Sequence, residues 1–160
     1  MIDQKPHTDA LKLGNQMCFP IYSVSRLITK AYKPYLDKMG LTYPQYLVML
    51  VLWEQDQVSV NYISEKLLLN TNTLSPLLQR IENQGWIDRN RCKDDERSVI
   101  ICLSEKGKEL KETAASIPNE MLELLMTENV TLPEIKHLKN ILDNWMDALT
   151  SKEEHNNRKQ

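Results

Sequence analysis

Two groups of side chains in this chain have types and spacing that can do chemistry: three cysteines, and one short helix face rich in hydroxyls and amides but nearly free of carboxylates. A cysteine is nucleophilic as the thiolate, and a free thiol is only a few per cent ionised at pH 7. Cys18 has two local means of improving on that. A helix N-terminus near Pro20 would present N–H groups that favour an anion, and hydroxyls of tyrosines folded nearby can donate to the sulfur. A thiolate held this way attacks peroxide oxygen and becomes a sulfenic acid. The alternative is a buried, inert thiol, a common state of free cysteine, and the sequence by itself brings no tyrosine to Cys18. Cys92 and Cys102 fall in a hairpin and read as incidental, although an oxidised pair there is conceivable. An odd count without Cys-x-x-Cys argues against a disulfide framework or a zinc site. His7, His137 and His155 have no partner spacing, so neither metal binding nor triad catalysis finds support.

The polar face belongs to a helix expected over Thr73 to Gln84. Leu74, Leu77, Leu78 and Ile81 recur at helical period and form its buried stripe. Asn72, Thr73, Ser75, Pro76, Gln79, Arg80 and Asn83 then face outward, offering the donors and acceptors that read base edges and phosphates in a major groove. A plain solvated face is the competing reading. Before this helix come an amphipathic helix (Ser59 to Leu68) and a polar turn (Asn70-Thr71-Asn72). After it come a Gly85 stop and two β-branched runs, Ile87 to Cys92 and Ser98 to Leu103, joined by Lys93-Asp94-Asp95-Glu96-Arg97. A hairpin with charges gathered at its tip, directly after a helix pair, is a wing. Arg97 suits the negative potential of a narrow minor groove, and Asp95 can hold its guanidinium in a bidentate bond.

Around these residues the chain is read as one domain over 1–160, mainly α with a small β-hairpin wing. Residues 58–103 form the winged helix-turn-helix, 1–57 and 104–150 the helical dimerisation and core elements, and 151–160 a disordered tail. Residues Met1 to Ala10 are expected to fray. The stretch from Leu11 to Met39 is helical in character and either begins near Cys18 or kinks at Pro20, with Gly40 as its stop. Thr42-Tyr43-Pro44-Gln45 is a capping box leading into an apolar helix over Leu47 to Trp53. Lys108 to about Thr127 reads as a helix bent or interrupted at Pro118. The last helix opens on a second capping box, Thr131 to Glu134, and carries the stripe Ile135, Leu138, Ile141, Leu142, Trp145, Met146 and Leu149. Such terminal apolar faces are most simply buried against a second copy across a two-fold axis, which would also set two reading heads one turn of DNA, ~34 Å, apart. Tyr22, Tyr46, Trp53, Trp86 and Trp145 read as core or interface aromatics.

Composition limits the function. Lys and Arg total 20 against 22 Asp and Glu, a net charge of -2, so DNA affinity has to come from local placement of charge rather than from a basic field. No apolar run approaches the ~18 residues of a membrane span and no signal-peptide order precedes the chain, so a cytoplasmic protein with no membrane association is expected.

The order helix, turn, helix with Leu-Gln-Arg-Ile-Glu-Asn-Gln-Gly-Trp-Ile, then Arg89 to Arg91, Asp95-Glu-Arg-Ser-Val and Leu103-Ser-Glu-Lys-Gly107, resembles the MarR family of multiple-antibiotic-resistance regulators. The resemblance implies a homodimeric winged-helix regulator on near-palindromic double-stranded DNA. The turn and first residues of the second helix would enter the major groove and Arg97 the minor groove, with Arg91 at the wing. Further, Leu13-Gly-Asn-Gln-Met-Cys18-Phe, Tyr32-Lys-Pro34, Leu36-Asp-Lys38 and Leu41-Thr-Tyr43-Pro-Gln-Tyr46 are similar to the organic-hydroperoxide-sensing branch and its one-cysteine relatives. By that resemblance Cys18 is the peroxidatic thiol, and Tyr32 and Tyr43 hydrogen-bond it across the dimer interface. Pro20 departs from the branch, where an ordinary helix former would stand. Cys92 and Cys102 depart as well, since two-cysteine members keep the resolving thiol near the C-terminus.

The reading is therefore a transcription regulator, a repressor rather than an enzyme, needing no cofactor. It would hold its operator when Cys18 is reduced and release it after oxidation by an organic hydroperoxide or hydrogen peroxide and capture by a low-molecular-weight thiol. Its rivals are a regulator of the same fold gated by a small phenolic or lipophilic ligand, and a thiol peroxidase using Cys18.

Overall fold

The computed structural model describes residues 7–91 and 99–157. These divide into two compact units, one through Ile117 and one from Pro118. Each is described by itself.

In the first unit the chain enters through two short 3-10 turns, His7–Leu11 and Leu13–Asn15. Helix α1 then runs over Cys18–Lys38. Of the two expected alternatives, a start near Cys18 or a kink at Pro20, the helix takes the first, and Pro20 sits in the first turn, where its missing N–H breaks no helical bond. Gly40 (φ 67) closes α1 as a Schellman motif: the Leu41 N–H donates to the Leu36 carbonyl at 3.0 Å and the Gly40 N–H to the Asp37 carbonyl at 3.2 Å. Helix α2 (Tyr43–Glu54) follows, and the Thr42 N–H donates to Gln45 Oε1 at 2.8 Å as the capping box requires. Apolar on most of its surface, α2 is largely buried, with Tyr46, Val48, Met49, Val51, Leu52 and Trp53 in the core and Pro44 and Leu50 exposed.

The winged part starts with β1 (Val58–Ser59), a two-residue strand too short to show in the sequence pattern. Helix α3 (Val60–Leu67) is capped by Ser59, whose Oγ accepts from the Tyr62 N–H at 3.1 Å. It ends on Leu68 in the left-handed region, φ 53. Helix α4 covers Thr71–Asn83, two residues earlier than expected, because Asn70 is its cap: Asn70 Oδ1 accepts from the Thr73 N–H at 2.9 Å. Asn72 thus lies in the first turn of α4 rather than in a connecting turn. Strands β2 (Ile87–Arg91) and β3 (Val99–Leu103) pair antiparallel, Ile87 opposite Leu103 and Arg91 opposite Val99. With β1 on the other side of β3 the sheet order is β1-β3-β2. Leu74, Leu78 and Ile81 of α4 are buried with Ile63, Ile87 and Ile101, so α4 is set on the core by its apolar stripe.

Helix α5 (Glu105–Ala114) begins earlier than the expected Lys108, since Ser104 Oγ accepts from the Gly107 N–H at 3.0 Å and caps it there. The anticipated break at Pro118 is real, and α6 occupies Ile117–Leu125. In the second unit, α7 runs over Leu132–Asn157 from a capping box in which the Thr131 N–H donates to Glu134 Oε2 at 2.6 Å. The tail expected to be disordered is thus helical as far as Asn157. Lys152 to Glu154 contain no helix breaker, and an established helix propagates at small cost.

Candidate redox site and nucleic-acid interface

Cys18 is the first residue of α1 and is exposed. The helix start supplies fewer donors to its sulfur than the sequence suggested. The Phe19 N–H is already donated to the Gln16 carbonyl at 3.3 Å, and Pro20 has none to give. Tyr32 stands fourteen residues further along the same helix, which at 1.5 Å per residue is about 21 Å away. Within one chain, therefore, the sulfur and this phenol do not meet.

The phenols do meet one another. Tyr32 on α1 and Tyr43, the first residue of α2, have ring centroids 5.0 Å apart. Tyr46 joins them, 5.7 Å from Tyr32 and 6.4 Å from Tyr43, and its other side abuts Trp53 at 6.1 Å. The sequence reading placed Tyr46 in the core, where it is, and missed its part in this cluster; its spacing of one turn from Tyr43 was the available signal. Burial, then the proximity of Tyr43 and Tyr46, pushes Tyr32 up to about 12. Burial likewise raises Tyr43 and Tyr46 above the ordinary phenol value. All three hydroxyls accordingly keep their protons at neutral pH and are available as donors. Beside them an open groove of about 860 Å³ runs along α1 to the start of α2, lined among others by Phe19, Leu27, Lys30, Leu41, Tyr43 and Pro44.

On α4, Asn72, Thr73, Ser75, Pro76, Gln79 and Arg80 are all exposed, so the structure gathers these sequence-identified residues on one solvent face. Their hydrogen-bonding capacity differs. Thr73 Oγ1 donates to Asn70 Oδ1 at 2.9 Å and Ser75 Oγ donates to the Thr71 carbonyl at 2.8 Å, which leaves both hydroxyls as acceptors. Asn72, Gln79 and Arg80 have no partner among the described residues. Pro76, inside the helix, provides no N–H to the Asn72 carbonyl, which stays open for an external donor.

Arg89, which the sequence reading did not single out, ties the wing to this helix: its Nε meets Glu82 Oε2 at 3.0 Å and its Nη2 donates to the Ser75 carbonyl at 3.3 Å. The sequence held a signal for it only as an arginine on an inward-facing strand position. Cys102 is half-buried on β3 and accepts a contact from Asn90 Nδ2 at 3.5 Å. Arg91 closes β2, and its side chain, like Cys92, Asp95 and Arg97, lies outside the described residues.

Similarity to known proteins bears on both sites. Residues 30–114 match the family described as "Transcriptional regulator SarA/Rot". The organic hydroperoxide resistance transcriptional regulator of Bacillus subtilis is 46% identical over 144 residues, 90% of this chain and 96% of its own length. The chain is a transcriptional regulator of the MarR family, in its organic-hydroperoxide-sensing branch. As a member of that branch it is a DNA-binding regulator and not an enzyme. Solved structures agree with the assignment. Reduced AbfR bound to DNA superposes with a TM-score of 0.75 at 33% identity, covering 91% of this chain and 98% of that one. Overoxidized AbfR bound to DNA gives 0.71 at 35% identity, covering 90% and 99%. AbfR is a protein of Staphylococcus epidermidis. Among the described residues of this MarR-family chain, no helix is long and apolar enough to cross a membrane.

Proposed function

We propose that this regulator is a cytoplasmic homodimer that holds a near-palindromic operator while Cys18 is reduced, and lets it go once Cys18 has been oxidised and capped by a small thiol. The observation that carries the reading is the pair of protonated phenols, Tyr32 and Tyr43, whose ring centroids lie 5.0 Å apart, with Tyr43 lining a groove. Donor phenols are what a thiolate needs, and since Cys18 and Tyr32 of one chain lie about 21 Å apart along α1, on this reading the sulfur comes from a second copy. Exposed apolar side chains on α1 (Ile21, Val24, Leu27) and on α7 (Leu138, Met146, Leu149) support such a partner.

In the proposed reaction the Cys18 thiolate attacks one oxygen of a hydroperoxide. The O–O bond breaks, Cys18 becomes a sulfenic acid, and the departing alkoxide takes a proton to leave as an alcohol, or as water when the oxidant is hydrogen peroxide. A low-molecular-weight thiol then displaces water from the sulfenic acid to give a mixed disulfide. AbfR in its overoxidized form is bound to DNA, which favours the bulkier disulfide, rather than further oxidation, as the releasing state here. For the reading head, Asn72, Thr73, Ser75, Pro76, Gln79 and Arg80 would face the major groove, with Arg91, Asp95 and Arg97 at the wing.

Cys18→Ser tests the proposal. In a gel shift it should bind the operator as wild type does and keep it in the presence of organic hydroperoxide and thiol; release equal to wild type would sink the sensor assignment. The groove favours one second reading, gating by a small phenolic or lipophilic ligand, which would release Cys18→Ser as readily as wild type when the ligand is titrated without oxidant.

A further inference from the structure

The corner between α1 and α2 is bonded directly to the end of the reading helix. Gln84, the residue that caps the C-terminus of α4, donates its Nε2–H to the Gly40 carbonyl at 2.7 Å across 44 residues of sequence. The left-handed Gly40 closes α1, and its carbonyl is the one that receives Gln84. Because a carbonyl only accepts, the amide nitrogen of Gln84 and not its oxygen has to face it.

The position of this bond relative to the phenols matters. Tyr43 begins α2 three residues after Gly40, so whatever displaces Tyr43 displaces the Gly40 turn with it. At its other end α2 is fastened twice to α5: Trp53 Nε1 donates to the Gly107 carbonyl at 2.8 Å, and Lys111 Nζ donates to the Trp53 carbonyl at 2.8 Å. Helix α2 is thus hydrogen-bonded to α5 at Trp53, while its Tyr43 end is held by ring packing on Tyr32 and by the Gly40 turn that Gln84 bonds. Helix α4 is seated on the core along most of its length by Leu74, Leu78 and Ile81, with Gln84 at one end and the base-facing Asn72 and Thr73 about 18 Å away at the other. A helix moves as a rigid rod, so a displacement at its Gln84 end is carried to the Asn72 end.

We propose that Gln84 is a positioning residue that transmits the state of the Tyr32–Tyr43 site to α4 through its bond to Gly40. This rests on the redox reading above and names the contact through which that reading reaches DNA. Gln84 is exposed, so its substitution leaves the core intact.

The test uses the full chain with cumene hydroperoxide and cysteine as the oxidant and thiol. Three quantities are measured for wild type, Gln84→Leu and Gln84→Lys: the rate of Cys18 oxidation by mass spectrometry, and the operator Kd in the reduced and in the oxidised state. Gln84→Leu should oxidise at the wild-type rate and bind when reduced within about twofold of wild type. Its ratio of oxidised to reduced Kd should fall about five- to tenfold, the worth of one net hydrogen bond. Gln84→Lys, which still has N–H to donate, should restore most of the ratio. An unchanged ratio in Gln84→Leu overturns the proposal, as does an equal loss of affinity in both states, which would mark a purely structural contact. If oxidised wild type does not release DNA, the redox reading itself falls and this transmission falls with it.

Discussion

Tyr32 and Tyr43 come from different helices, yet their rings lie 5.0 Å apart with planes tilted by 54°. The tight turn at Gly40 folds α2 back on α1 and makes this meeting possible. Crowded, half-buried phenols resist ionisation, and the effect is largest at Tyr32, with a value near 12 against the ordinary 10.0. A folded-state value above the unfolded one means that stability is whole below about pH 10 and is lost as pH rises towards 12. Thermal melts of wild type should therefore fall steeply over that window, and Tyr32→Phe should flatten the fall. A Tyr32→Phe curve parallel to wild type would show that this phenol titrates normally.

On the proposed reading, the wing contributes to affinity separately from α4. Arg97→Ala should weaken operator binding by about 1 to 3 kcal/mol at fixed salt and lower the salt slope by about one. Unchanged affinity in fluorescence anisotropy would remove Arg97 from the groove.

Leu68 holds a left-handed backbone, φ 53, with its side chain 58% exposed. A β-carbon in that region costs roughly 1 to 2 kcal/mol and little apolar burial offsets it here. Leu68→Gly should raise the stability by about 0.5 to 1 kcal/mol in urea unfolding, allowing for the greater chain entropy of glycine. A destabilised variant would mean that the exposed leucine is covered by something else in the working protein.

At Gly107 the obstacle is space. A β-carbon there would stand 2.0 Å from the Trp86 carbonyl oxygen and 3.1 Å from its carbon, both main-chain atoms that cannot step aside. Gly107→Ala should cost about 1 to 3 kcal/mol or more as the wing and α5 are forced apart, and it should loosen the Trp53 anchor on the Gly107 carbonyl. A wild-type unfolding midpoint would refute the tight approach.

What the sequence made legible was what depends on neighbours in the chain. Thr42 with Gln45, Thr131 with Glu134, and Ser59 each announced a helix start, since a cap and its partner lie within three residues. The α4 stripe from Leu74 to Ile81 was legible for the same reason, whereas the cap at Asn70 was mistaken for part of a turn. Contacts between distant segments left no trace. Nothing in the composition ties Gln84 to Gly40, Trp53 to Gly107 or Arg89 to Glu82, because each depends on how whole elements pack. The proposed thiol site was half legible: resemblance brought Cys18, Tyr32 and Tyr43 to notice, and the helix geometry keeps Cys18 and Tyr32 of one chain about 21 Å apart.

The left-handed turn at Gly40 also bears on how such a protein can diversify. Position 40 contributes to its bond only a main-chain oxygen, which any amino acid would supply, and its backbone conformation penalises any side chain placed there. Descendants of this chain are thereby left with position 84 as the adjustable half of the contact, and on the proposed transmission the degree to which oxidation loosens DNA can drift by exchanging that one amide while the pocket stays untouched.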